Sequence, residues 1–266
     1  MSLFKKIFAA SGLLTPYGDE KSLKDLDGLV DINKLKSSDW IDLGLPSGLL
    51  WATRNVGASS PTDDGDCYFW GSITPNVDPG GIDSYAYYKY DESKDGSGLS
   101  HLLKYGSLDP VFTQMPSSIE DRDKTGFSKY CSNDNYGYNG FADNLTILES
   151  MDDAATANYG GRMPTKEEWQ ELCDNTTSRW IAMDGLVGRC FTGPNGNTLF
   201  LPASYDAGND SLQAELNGCY LSSSLYVDDP YSAWTLQFDS KEVGVREGKG
   251  SRYFPEWSVR AVRPAH

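Results

Sequence analysis

The stretch that decides the fold reads Arg162-Met-Pro-Thr-Lys-Glu-Glu-Trp-Gln-Glu-Leu-Cys173. Thr165 followed three residues later by Glu168 is a capping box, in which each side chain accepts a hydrogen bond from the backbone N–H of the other residue. Trp169 and Leu172 fall on one face at the spacing of an amphipathic helix. The stretch therefore predicts a short helix that begins after Thr165 and buries one side.

The sequence around this helix favours strands, turns and irregular loops. A second short capped helix is predicted over residues 150–157, and a hairpin joins residues 188–192 to residues 198–202 through a Gly-Pro-Asn-Gly-Asn turn. Alternating apolar residues predict three further strands, with two tryptophans facing the core. These strands are marked by Trp234, Leu236 and Phe238, by Val243 and Val245, and by Trp257, Val259 and Ala261.

Composition sets limits on both fold and partners. Aromatic residues make up 12% of the 266-residue chain and glycine contributes 27 residues, which favours a loop-rich α+β or β domain over a helix bundle. The net charge of −15 argues against nucleic acid or an anionic membrane surface as the partner. Because the chain contains no apolar run of about 18 residues, we expect no membrane insertion.

The five cysteines are scattered and form no Cys-x-x-Cys pair, and the two histidines lie far from them in the sequence. This pattern argues against a structural zinc site, and no cofactor is predicted. Separate buried thiols are the favoured interpretation, since free cysteine behaves as a small hydrophobic residue. A single disulfide is the main alternative.

Residues 1–39 differ from the rest of the chain, being rich in Lys and Asp with leucines at roughly helical spacing. A calcium loop is excluded there, because Leu23 and Lys34 occupy its first and last ligand positions. Lys5 and Lys6 precede a short apolar run, but Ser11 interrupts it and no lipid-anchor cysteine follows. We therefore expect no secretory signal, and a tether or docking segment that packs on residues 40–266 or binds another protein.

Several motifs together resemble a paralogous domain family that is abundant in Bacteroidetes and Fibrobacter surface proteins. More distantly, residues 162–169 and the closing Ser-Val-Arg are similar to the superfamily of C-type-lectin-like and formylglycine-generating-enzyme folds, which includes retroelement-diversified variable receptor-binding proteins. The resemblance implies an α+β C-type-lectin-like fold with two short helices, a twisted antiparallel sheet and long irregular loops. The motifs span residues 43–53, 55–58, 148–149, 152–155, 162–165, 221–224 and 258–260.

The resemblance offers three functions. A copper oxidase like the formylglycine-generating enzyme needs a reactive cysteine pair, whereas Cys219 stands alone after Cys190 in the sequence. A calcium-dependent lectin needs Glu-Pro-Asn, Gln-Pro-Asp or Trp-Asn-Asp signatures, which this sequence lacks. We therefore favour a noncatalytic ligand-binding or adhesin module that is displayed on a phage virion or bacterial cell surface. A structural component whose loop face is covered by a neighbour is the alternative.

The binding surface is expected in the C-terminal region, where the variable relatives bind their ligands. Tyr and Arg are frequent at interface hot spots, and this region concentrates both. Tyr226, Tyr231, Arg252 and Tyr253 are expected to be exposed, because they lie in loops beside Pro and Gly. The predicted site, which would bind a cell-surface protein or glycan, comprises Tyr220, Tyr226, Asp228, Asp229, Tyr231, Arg246, Lys249, Arg252, Tyr253 and Phe254.

Overall fold

The computed structural model describes residues 38–75, 127, 129–137, 140–183, 186–203, 217–252 and 257–265. This part of the chain is mixed α+β, with mostly antiparallel strands and two short α-helices, as the sequence predicts at that level. Residues 1–37 of the predicted tether lie outside the described residues, as do Tyr253 and Phe254.

The longer helix, α2, spans Lys166–Asn175 and begins where the capping box predicts. The Glu168 N–H donates to Thr165 Oγ1 at 3.3 Å, and the Thr165 N–H donates to Glu168 Oε2 at 2.8 Å. Trp169 and Leu172 are fully buried, so the amphipathic pattern is confirmed as well.

The shorter helix, α1, spans Ala154–Asn158 and follows a 3₁₀ turn at Ser150–Asp152. The Asp153 carboxylate caps α1 by accepting the Thr156 N–H at 2.9 Å. The predicted capped helix is therefore confirmed for Ala154–Asn158, whereas residues 150–152 form a separate 3₁₀ turn because the backbone at Asp153 is extended.

Eleven strands in the described residues form three sheets. One sheet has the order β1-β2-β11, formed by Trp40–Asp42, Leu50–Ala52 and Val262–Arg263. A second has the order β4-β5-β6, formed by Thr177–Met183, Leu186–Thr192 and Thr198–Pro202. The largest has the order β3-β10-β7-β8-β9, formed by Cys67–Tyr68, Trp257–Ser258, Gly218–Leu225, Ala233–Phe238 and Val243–Gly248.

Neighbouring strands are antiparallel except β7 and β10, which run parallel where Ser258 meets Tyr220. The predicted hairpin is confirmed as β5 and β6, and its turn includes Gly196 at a φ of 81°, a value that favours glycine.

The last predicted strand is wrong, because residues 257–261 do not form one continuous strand. The Val56 N–H donates to the Val259 carbonyl, and the Ala52 N–H donates to the Ala261 carbonyl, both at 2.9 Å. Residues 259–261 thus connect two sheets: β10 ends at Ser258 in the largest sheet, and β11 begins at Val262 in the β1-β2-β11 sheet.

Helix α2 packs on β7, β8 and β9, and its Trp169 and Leu172 belong to the largest core cluster of the described residues. The Trp169 ring lies 4.9 Å from that of Trp51 and 6.0 Å from that of Tyr220, and its indole N–H donates to the Leu221 carbonyl at 3.2 Å. The register of β7 against β8 shifts between Leu221 and Leu225. The helix thus fixes the end of β7 from which the predicted binding loops depart.

Candidate functional site

A tight turn joins β7 to β8 at residues 226–231, inside the predicted binding region. The Asp229 carboxylate accepts the Tyr231 N–H at 3.1 Å and the Ser232 hydroxyl at 2.7 Å. Asp229 therefore shapes the turn through its side chain, whereas Asp228 is exposed at the tip.

Arg252 is buried, contrary to the expectation that it is exposed. Its guanidinium donates to the carbonyls of Tyr130 at 3.0 Å and Pro230 at 2.9 Å, and to that of Lys129 at 2.9 Å. The same group lies 3.8 Å from the ring centroid of Phe127. Arg252 thereby joins the turn after β7 to a segment about 120 residues earlier, and its covered guanidinium is unavailable to a surface ligand.

Tyr231 is also buried, so the expectation that its side chain is exposed is wrong. Its ring lies 5.2 Å from the Phe127 ring and 5.8 Å from the Tyr136 ring. Burial raises the pKa of Tyr231 to about 12. We call Phe127, Tyr130, Tyr231 and Arg252 the Arg252 cluster.

Tyr130 holds the left-handed backbone conformation, with a φ of 55° that is uncommon for a bulky residue. The Asp143 carboxylate accepts its N–H at 2.8 Å, and the Asp152 carboxylate accepts its hydroxyl at 2.5 Å. Lys129 forms an ion pair with Asp152 at 2.8 Å. These bonds fix the Lys129 and Tyr130 carbonyls, two of the three that Arg252 reaches, and this supplies a structural reason for the unusual backbone.

Tyr220 lies in the core and does not reach the surface, so its prediction as a ligand contact is not supported by its position. Its hydroxyl donates to the Pro202 carbonyl at 2.7 Å and accepts from Asn55 Nδ2 at 3.2 Å. Its ring stacks on Phe238 with centroids 5.9 Å apart. The side chain faces α2 because Tyr220 occupies an inward position of β7.

Two aromatic residues of the region do remain at the surface, where they form a corner with a lysine. The Tyr226 and Trp234 rings meet nearly at right angles with centroids 4.8 Å apart. Lys166 Nζ lies 3.7 Å from the centroid of the Trp234 ring. We call Lys166, Tyr226 and Trp234 the tryptophan shelf.

Trp234 is half-buried, which corrects the expectation that it belongs to the core. Trp169 and Leu172 of α2 share a core cluster with Leu236 and Phe238 of β8, whereas Trp234 meets the start of the helix at Lys166. The Lys166 N–H donates to Ser224 Oγ at 3.0 Å, which fixes the start of the helix beside the end of β7. The shelf thus lies where the sheet face meets the start of α2 and is only partly covered.

Apolar and acidic side chains surround the shelf. Ile147 bridges to Ser224 beside it and is 43% exposed, and Val227 directly follows Tyr226 and is 50% exposed. Glu247 lies opposite Trp234 on β9. Aromatic and aliphatic contact area with a charged rim is the composition of a protein interface.

The remaining predicted residues do not join the shelf. Arg246 is exposed and forms an ion pair with Glu242 at 2.8 Å, and Lys249 is exposed in the turn after β9. Of the predicted residues that the structure describes, Tyr226 alone contributes its ring to the shelf. Sequence reasoning missed Lys166 and Trp234 as surface residues, although the first position of a capped helix is a usual place for an exposed side chain.

The five cysteines form no disulfide, but only Cys131 and Cys190 are buried and the other three are half-buried, so the favoured interpretation of separate buried thiols is confirmed in part. Burial raises the pKa of Cys190 to about 12 and that of Cys173 to about 11, so neither thiol readily forms the thiolate that binds metals. Among the described residues, no group of three or more His, Cys, Asp or Glu side chains is arranged to hold a metal ion.

In the part of the chain that the structure describes, no helix has the length and apolar character needed to cross a membrane. Comparison of the chain with models of protein families, with curated proteins and with solved structures gives no match. Functional inference for this chain therefore depends on the shelf and its surroundings.

Proposed function

We propose that the protein is a noncatalytic binding module of C-type-lectin-like fold that recognises a protein or glycan through the tryptophan shelf. The observation that carries the proposal is the half-exposed Tyr226–Trp234 corner, with Lys166 over the tryptophan ring. Tyrosine and tryptophan supply large contact areas at low conformational cost, and they dominate interface hot spots. The proposed binding surface is therefore smaller than the C-terminal region that the sequence predicts, and it is centred on Tyr226 and Trp234.

Charge limits the kind of ligand. A chain with a net charge of −15 repels polyanions, which opposes nucleic acid and anionic membranes as ligands. Neutral glycans and neutral or basic protein surfaces suit an aromatic corner that has Glu247 beside it. A copper oxidase is disfavoured, because the buried Cys190 thiol has a raised pKa and lies on a different sheet from Cys219.

A binding assay with a matched control tests the proposal. The full chain and a Tyr226→Ala/Trp234→Ala variant are applied to a glycan array and to bacterial cells. We expect the variant to lose binding while its Tm stays within a few degrees of wild type. Ile73→Ala, which removes an exposed apolar side chain beside α1, should bind normally. Undiminished binding by the double variant would rule out the shelf as the site.

We further propose that residues 1–39 tether this module to a larger assembly, such as a phage virion or a bacterial surface structure. Deleting residues 1–39 should abolish incorporation into the assembly and leave a folded, ligand-binding domain. A deletion variant that fails to fold would contradict a separate docking segment. If the protein is a structural component instead, neither array nor cells will retain it, and the shelf variant will fail to incorporate.

A further inference from the structure

Strand β9 lies at the edge of the largest sheet. Within the described residues it pairs with β8 along its whole length, Val243–Gly248, and with no other strand. An antiparallel edge strand points the N–H and C=O groups of alternate residues away from its neighbour. Such a row of backbone groups is a template for pairing with another strand.

The sequence around Gly244 is complementary to itself when two copies run antiparallel. Residues 239–249 read Asp-Ser-Lys-Glu-Val-Gly-Val-Arg-Glu-Gly-Lys, so every charged residue meets an opposite charge when Gly244 lies opposite Gly244. The facing pairs are Asp239 with Lys249, Lys241 with Glu247, Glu242 with Arg246, and Val243 with Val245. Opposite charges that face one another across strands stabilise pairing, and like charges destabilise it.

The structure leaves the central pair available for such an exchange. The side chains of Arg246 and Glu242 are 45% and 59% exposed, and they pair with each other within one chain at 2.8 Å. Two copies can exchange these partners without leaving any charge unpaired. Val243 and Val245 pack against the core from the α2 face, and Gly244 has no side chain to separate two backbones at the centre.

We propose that β9 pairs antiparallel with β9 of a second copy of this chain, about a two-fold axis at Gly244, so that the two largest sheets become continuous. A two-fold interface of this kind uses the same patch on both copies, which is why self-complementarity is its signature. In this dimer Arg246, which the sequence predicts to contact a ligand, instead pairs with Glu242 of the second copy. A dimer would display two tryptophan shelves, and simultaneous engagement would raise avidity without a new ligand contact.

Charge reversal tests the pairing and its register together. In sedimentation velocity over a concentration series, the full wild-type chain should show a monomer–dimer equilibrium. Glu242→Arg and Arg246→Glu each bring like charges together twice across the axis, and the dimer Kd should rise on the order of tenfold or more. An equimolar mixture of the two variants should form a heterodimer, because the introduced arginine faces the introduced glutamate.

Arg263→Glu provides the matched control, since it makes the same charge change at an exposed arginine on β11. That variant should dimerise like wild type, and circular dichroism should show every variant folded. A wild-type chain that stays monomeric at all concentrations would overturn the proposal. Dimers that persist unchanged in both single variants, or a mixture that fails to associate, would overturn it as well.

Discussion

The tryptophan shelf and the Arg252 cluster both contain aromatic residues from the segment around the β7–β8 turn, but these residues differ in exposure. Tyr226 and Trp234 remain at the surface, whereas Tyr231, which lies between them in the sequence, is buried together with Arg252. The difference arises from what covers each of them. The rings of Phe127 and Tyr136 and the carbonyls of Lys129 and Tyr130 enclose Tyr231 and Arg252. Trp234 is only partly covered, by Tyr226 and by Lys166 at the start of α2.

The comparison teaches that aromatic and arginine content alone does not identify a binding surface. The Arg252 guanidinium donates to three backbone carbonyls, so its role is to stabilise the fold. The Trp234 ring keeps part of its surface exposed beside Tyr226 and Lys166, so it remains available for recognition. Variants of the Arg252 cluster should therefore lose more stability than matched variants of exposed or half-buried residues.

The largest effect is expected at Arg252. Arg252→Met removes the donors to two buried carbonyls and one partly buried carbonyl, and leaving them without partners should lower the free energy of unfolding by about 3 kcal/mol or more. Urea denaturation of Arg252→Met and Arg246→Met checks this contrast. The exposed Arg246 should cost about 0.5 kcal/mol or less. Equal losses of stability in the two variants would contradict a structural role for Arg252 that Arg246 lacks.

The next effect is expected from truncating the two tyrosines that flank the turn. Tyr231→Ala opens a cavity against Phe127 and should lower stability by about 2–4 kcal/mol. Tyr226→Ala removes a half-exposed ring and should cost about 1 kcal/mol or less. Chemical denaturation measures both variants. A larger loss of stability in Tyr226→Ala than in Tyr231→Ala would mean that the shelf, and not the Arg252 cluster, stabilises the turn.

The sequence predicts those parts of this comparison that depend on local pattern. The capping box, the hairpin and the alternation along β8 and β9 are each encoded within about a dozen residues, and each is confirmed. The burial of Arg252 is not local, because its partners Lys129 and Tyr130 lie more than 120 residues earlier. No spacing rule in a single sequence connects such segments.

The surface position of Trp234 escaped prediction for a different reason. Alternation correctly places Trp234 on the same face as Leu236 and Phe238, but it does not indicate how far the covering helix extends along that face. The start of α2 at Lys166 was predicted, yet its position over the sheet depends on the β7 end at Ser224. Predicting the exposure of Trp234 requires both the start of α2 and the position of that helix on the sheet.

Alkaline pH should separate the two regions through Tyr231. Its pKa is raised from 10.0 to about 12 by burial, so its contribution to stability is fully present below pH 10 and is lost as the pH rises toward 12. We expect Tyr231→Phe to remove about 1 kcal/mol or less of the stability lost between pH 10 and 11, because over this interval the phenol ionises in the unfolded chain and stays largely protonated in the folded one. Urea unfolding at several pH values measures this, with Tyr226→Phe as the control. Identical pH profiles for wild type and Tyr231→Phe would contradict burial of this phenol.

The smallest effect is expected at Lys166, where the shelf can be opened without disturbing the fold. Lys166→Ala removes the ammonium over Trp234 and should cost about 0.5–1 kcal/mol, the range of an exposed cation–π contact. The uncovered ring should become more accessible to acrylamide, so quenching of tryptophan fluorescence should increase. Placing Lys166→Ala in a Trp234→Phe background isolates the signal from the other tryptophans, because the increase should vanish there. An increase that persists without Trp234 would mean that Lys166 shields another indole, and the shelf would lose its defining contact.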